Sequence, residues 1–227
     1  MDTKIYKTLP LSLSGVMAGI MLAAADYHVD WLTALLLLAS AFFLHCYSFT
    51  SKCEPENAPK ISRVLPGLVG VFGMAMLFTS FGTIFLMEPL VMAVFWYMII
   101  RAVGHTTFVS RGKGIVYILA LFGLVAVYGS YYICSHSFGS WPLLFPAMSM
   151  GFMALAVKAD DEKAIFRNVM ILAGWGAMIA YSCLRMFDPW HFLFVLSLPL
   201  FFMKRYLPAA VFVFALLAGA GFLMYLL

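Results

Sequence analysis

The side chains able to do chemistry gather in three polar stretches. The first reads Ser48-Phe49-Thr50-Ser51-Lys52-Cys53-Glu54-Pro55-Glu56-Asn57, the second runs from Arg101 to Lys113, and the third reads Lys158-Ala159-Asp160-Asp161-Glu162-Lys163. All three carry basic residues, and the first and third carry carboxylates as well. Carboxylate oxygens are hard ligands of the kind Mg²⁺ takes, usually one or two of them together with substrate phosphates. Lysine and arginine neutralise the phosphate charge that remains. Two carboxylate-bearing loops on one face of a bundle would clamp a magnesium–diphosphate ion from both sides. A plainer reading stands beside it: mixed charges at helix ends are solvated loop residues that report topology. The five histidines, His28, His45, His105, His136 and His191, include no pair at helical ligand spacing. Haem and zinc are therefore not expected.

The elements that must position these loops are membrane helices. The chain has 227 residues, of which 64% are hydrophobic and 11% charged, and its mean hydropathy is +0.99. Soluble domains are about 45–50% apolar and about 25% charged. That excess excludes a soluble enzyme, a disordered chain and a nucleic-acid binder, so the net charge of +4 is no sign of a nucleic-acid partner. A spanning helix needs ~20 mostly apolar residues. Breaks at charges, Pro and Gly predict nine spans, at 9–25, 31–50, 64–80, 86–103, 114–135, 140–157, 164–184, 189–203 and 206–227. The long run from Val64 to Val103 is divided near Ser80-Phe81-Gly82, because one helix of that length would overshoot the bilayer at ~1.5 Å per residue. With nine spans, 13 of the 14 Lys and Arg residues fall on one side and Arg185 alone on the other. This asymmetry places the N-terminus in the cytoplasm and the C-terminus outside. It also favours reading the first apolar run, with Ala23-Ala24-Ala25 at its end, as a span rather than a cleaved signal.

The fold class expected is thus all-α: one domain over residues 1–227, a polytopic bundle of nine transmembrane helices. Gly15, Gly19, Gly67, Gly70, Gly73, Gly151, Gly174, Gly176, Gly219 and Gly221 lie within spans, where small residues let helices approach closely. Tyr131-Tyr132, Trp141, Trp190 and Tyr225 suit an interfacial aromatic belt. Cys46 and Cys53 are expected to be reduced thiols. Cys134 and Cys183, both near outer span ends, read more simply as two small buried hydrophobes than as a bridge.

Three stretches carry a family resemblance. Lys7-Thr8-Leu9-Pro10-Leu11, the run Phe122-Gly123-Leu124-Val125-Ala126-Val127-Tyr128-Gly129-Ser130-Tyr131-Tyr132, and Leu143-Leu144-Phe145-Pro146 through Gly151 to Val157 resemble the first, fifth and sixth spans of 1,4-dihydroxy-2-naphthoate prenyltransferases. These belong to the UbiA superfamily, and nine spans with a cytoplasmic N-terminus is also its layout. The resemblance implies a membrane enzyme of menaquinone biosynthesis, in the bacterial inner membrane, that uses Mg²⁺ to ionise a polyprenyl diphosphate and alkylates an aromatic acceptor. It implies Asp160 and Asp161, with Glu54, as metal ligands. Lys52, Arg101, Arg111 and Lys158 would then bind diphosphate. The sequence departs from the family at these loops. Where an Asn-Asp-x-x-Asp motif should follow span 2, Ser48–Asn57 has no Asp. The second acidic motif is reduced to Asp160-Asp161-Glu162, and the acidic residue expected after Gly112-Lys113-Gly114 is Ile115. The alternative expectation is therefore a non-catalytic homologue that binds a quinone or isoprenoid lipid, or acts as a membrane partner subunit.

Overall fold

A computed structural model describes residues 4–50, 75, 119–137, 139–159, 163–185, 189–203 and 206–224. Every regular element among them is helical. We number the α-helices α1 (Lys4–Asp26), α2 (Trp31–Thr50), α3 (Gly129–Ser135), α4 (Leu144–Lys158), α5 (Ala164–Leu184), α6 (Leu198–Phe201) and α7 (Leu207–Met224). A π-helical segment, Leu119–Tyr128, runs straight into α3, and 3₁₀ segments Trp141–Leu143 and Pro189–Ser197 lead into α4 and α6. Three helical stretches, Leu9–Asp26, Trp141–Lys158 and Ala164–Leu184, are long and apolar enough to cross a membrane.

The predicted spans at 31–50 and 164–184 coincide with α2 and α5, and those at 9–25, 140–157 and 206–227 match helices within a few residues. Two others differ in winding. The span at 114–135 is π-wound over Leu119–Tyr128 before it becomes α-helical, and the span at 189–203 is largely 3₁₀. Apart from Ala75, spans 64–80 and 86–103 lie outside the described residues.

The helices close on one another in a ring. α1 packs most extensively on α7, which lies against the 189–197 segment; that segment meets α5, α5 pairs with α4, and α4 rests on the π segment, which returns to α1. α2 covers α1 and α3 from outside. Close approach is built from small residues. A Cβ on Gly19 of α1 would overlap the carbonyl oxygen of Val127, and one on Gly123 would overlap that of Ala147 in α4. Larger side chains fill the interior, among them Ile20, Leu37, Tyr131, Met150 and Phe214, all buried. Trp175, Phe194, Phe201 and Phe214 form a tilted and edge-to-face aromatic centre with ring centroids 5.1–6.0 Å apart.

Three buried serines are satisfied within their own turn of helix. Ser14, Ser40 and Ser197 donate to the carbonyls of Leu11, Leu37 and Phe194 at 2.7–2.9 Å, each three residues back. Ser149 donates instead across the pair, to the Gly174 carbonyl at 2.7 Å, and so ties α4 to α5. Large apolar side chains remain exposed all round, including Leu32, Leu35, Ile165, Leu172, Leu196 and Phe202. That outer surface is compatible with a membrane protein.

Candidate functional site

The third polar stretch sits at one end of the α4–α5 pair. The two helices are consecutive and packed together, so Lys158, which ends α4, and Lys163, which precedes α5, lie at the same end. Lys158 occupies the last turn of α4, where a cation also complements the helix dipole. Lys163 is exposed at the start of α5. Arg167, one turn into α5, is buried with only 6% of its surface exposed. An arginine is seldom buried, because removing its charge from water is costly unless oxygen partners receive it. Near the C-terminal end of α2, His45 is buried and Cys46 half-buried.

Of the seven side chains assigned roles from the sequence, Lys158 alone lies among the described residues. Lys52, Glu54, Arg101, Arg111, Asp160 and Asp161 lie outside them. Arg167 is the residue that sequence reasoning passed over at this end. It entered the charge balance as one more basic residue, and only its burial separates it from Lys163. Lys158, Lys163 and Arg167 are cationic, and no group of three or more His, Cys, Asp or Glu able to hold a metal ion occurs among the described residues. This donor set suits phosphate oxygens. The carboxylates that Mg²⁺ would take in this stretch, Asp160 and Asp161, lie outside the described residues.

The opposite end carries a polar cluster that the spacing of residues did not reveal. Asp26 closes α1, and its carboxylate pairs with the Arg185 guanidinium just beyond α5. The Tyr131 hydroxyl of α3 donates to the other Asp26 oxygen at 2.8 Å. Arg185 also donates through Nε to the Tyr181 hydroxyl at 3.1 Å and lies over that ring, 5.7 Å from its centroid. Burial opposes the arginine's charge, but Asp26 and Tyr181 outweigh it and raise its pKa. Tyr27 meets Tyr131 edge to face at 6.2 Å and donates to Ser137 Oγ at 3.3 Å.

Two readings of aromatic and sulfur residues are corrected at this end. Tyr131 is not an interfacial belt residue: it is 2% exposed and bonded to Asp26. Trp141 is exposed, as a belt residue should be. Cys134 is buried and Cys183 exposed, and both are free thiols. Cys183 therefore does not fit the reading of two buried hydrophobes. No protein-family model matches this chain, and no curated protein matches it in sequence.

Proposed function

We propose that the chain is a UbiA-type membrane protein of nine transmembrane helices, with the N-terminus cytoplasmic and the C-terminus outside, that binds a polyprenyl diphosphate at the cytoplasmic end of α4 and α5. The observation that carries this reading is the buried Arg167, one turn into α5, at the end of the α4–α5 pair that also bears Lys158 and Lys163; in sequence Asp160 and Asp161 fall between these two lysines. A guanidinium offers five donors in a rigid fork that matches phosphate oxygens. Held at the edge of an apolar bundle, it would seat a diphosphate head while the prenyl tail stays among the helices. Transfer of that prenyl group to an aromatic acceptor such as 1,4-dihydroxy-2-naphthoate is the activity the resemblance implies. Developing negative charge on the leaving diphosphate is what the cationic end would stabilise.

One observation favours a second reading, a homologue that binds the lipid without transferring it. Ser48–Asn57, where the first acidic motif is expected, contains no Asp. Purified protein offered polyprenyl diphosphate and 1,4-dihydroxy-2-naphthoate, with and without Mg²⁺, separates the two. Binding weakened roughly tenfold or more by Arg167→Gln, the loss of one charged hydrogen-bonding partner, supports the diphosphate site. Mg²⁺-dependent product that disappears in Asp160→Ala/Asp161→Ala adds transfer to binding. Binding without product across several acceptors supports the second reading. Unchanged binding in a folded Arg167→Gln protein overturns the proposed site.

A further inference from the structure

The corner joining α1 to α2 is fastened at four of its five residues, Asp26, Tyr27, Val29 and Asp30. On one side Asp26 is held by Arg185 and by the Tyr131 hydroxyl. Next along the chain, Tyr27 reaches Ser137 beyond α3 and stands against the Tyr131 ring. Val29 is sunk into the core with 4% of its surface exposed. On the far side, Asp30 accepts from the Leu32 amide at 3.1 Å and the Thr33 hydroxyl at 2.8 Å, which fixes the start of α2. Cys134 of α3, the helix that packs against both α1 and α2, stands one turn past Tyr131 and is only 6% exposed. Three helix ends that are distant in sequence, those of α1, α3 and α5, therefore meet at a single carboxylate.

We propose that the Asp26–Arg185 pair is a latch that holds the 26–30 corner closed over this end of the bundle, so that releasing it opens the interior here. The pair is suited to the task. Its side chains are about one-fifth and one-third exposed, so the contact is neither sealed in the core nor lost in solvent. Each partner is braced by a tyrosine from a different helix. Arg185 is also the one basic residue that the charge pattern leaves on this side, and a solitary cation without a topological role is free to serve a contact instead. Nothing in this inference depends on diphosphate binding at the other end.

The native cysteines report the state of the latch. In purified full-length protein, a thiol-alkylating reagent followed by peptide mass spectrometry reads Cys134 and Cys183 in the same molecules. Cys183 is exposed and is expected to label rapidly in every variant, whereas Cys134 is buried and is expected to label slowly in the parent. Under local opening, labelling of a protected group follows the population of the open form. Asp26→Asn is expected to speed Cys134 labelling about tenfold or more, the scale of losing a partly buried charged contact. Tyr131→Phe, which removes one hydrogen bond and keeps the ring, should speed it about threefold. The exchanged pair Asp26→Arg/Arg185→Asp should recover most of the protection. Cys134 labelling at the parental rate in folded Asp26→Asn overturns the latch. Should that variant not fold, unchanged labelling in Tyr131→Phe does the same.

Discussion

Asp30 shows how much one exposed side chain settles at the corner between α1 and α2. The Thr33 hydroxyl first, and the Leu32 amide second, hold its carboxyl below the ordinary value of 3.8, with His28 assisting weakly. Its role is that of a helix N-cap, which satisfies backbone donors that the first turn leaves unpaired. Because the folded value lies below the unfolded one, the stabilisation is fully present above the unfolded value and fades as pH falls through the folded one. Asp30→Ala should therefore lower Tm by roughly 1–4 °C at neutral pH, and the gap should close in the acidic range below 3.8. Asp30→Asn keeps an acceptor in place, so it should unfold near the parental temperature at neutral pH and lack that acid-side trend. Thermal scans of the three proteins across pH decide the matter, and a gap that persists unchanged in acid would contradict the capping account. The cap was open to sequence reading in principle, since Asp30 stands directly before the apolar run of α2. Asp26 was not, because its partners lie 105 and 159 residues away.

At the scale of helices, the span glycines divide by their neighbours. Gly19 meets the Val127 carbonyl and the Ser130 side chain from the next element, whereas nothing lies within 4 Å of a Cβ placed on Gly176. Gly19→Ala must push α1 away from the π segment and is expected to destabilise by about 1–3 kcal/mol. Gly176→Ala adds a methyl in open space and removes a helix-weakening residue, so it should stabilise by up to about 1 kcal/mol. Equilibrium unfolding of both variants in one detergent tests the contrast, and equal effects would refute it. Both glycines read alike in the sequence because composition marks a small residue without showing what approaches it. Winding was hidden for a related reason. Leu119–Tyr128 is apolar on every side, with no polar stripe whose drift would distinguish 3.6 residues per turn from a wider helix. The proline-flanked 3₁₀ stretch Pro189–Ser197 is similarly uniform, apart from buried His191 and Ser197. What did show through was the position of helix ends, as at Trp31, Ala164 and Leu184, because charge and proline interrupt apolar runs sharply.

Over the whole molecule, orientation rests on charge, and the ends of the bundle differ in what their charges do. At the end bearing Lys158, Lys163 and Arg167 the described side chains are cationic and belong to consecutive helices. At the other, Arg185 is neutralised by Asp26 across the bundle. The 13-to-1 division of Lys and Arg remains the argument for the proposed cytoplasmic N-terminus. The consequence is a parity prediction. If the chain crosses nine times, the two termini face opposite sides, and Leu227 is followed by the outer compartment. Alkaline phosphatase joined after Leu227 in a bacterial host should be active, and green fluorescent protein joined there should stay dark. Fusions placed in the Lys52–Asn57 loop should behave in the opposite way. Dark phosphatase with bright fluorescence at the C-terminus would mean an even number of crossings. The break near Ser80-Phe81-Gly82 would then be the first suspect, because no charged residue marks it and the run from Val64 to Val103 is otherwise continuous. Restoring Val64–Val103 to a single crossing would put Lys158 and Arg167 on the side opposite the Lys52 loop and would dismantle the proposed diphosphate site together with the topology.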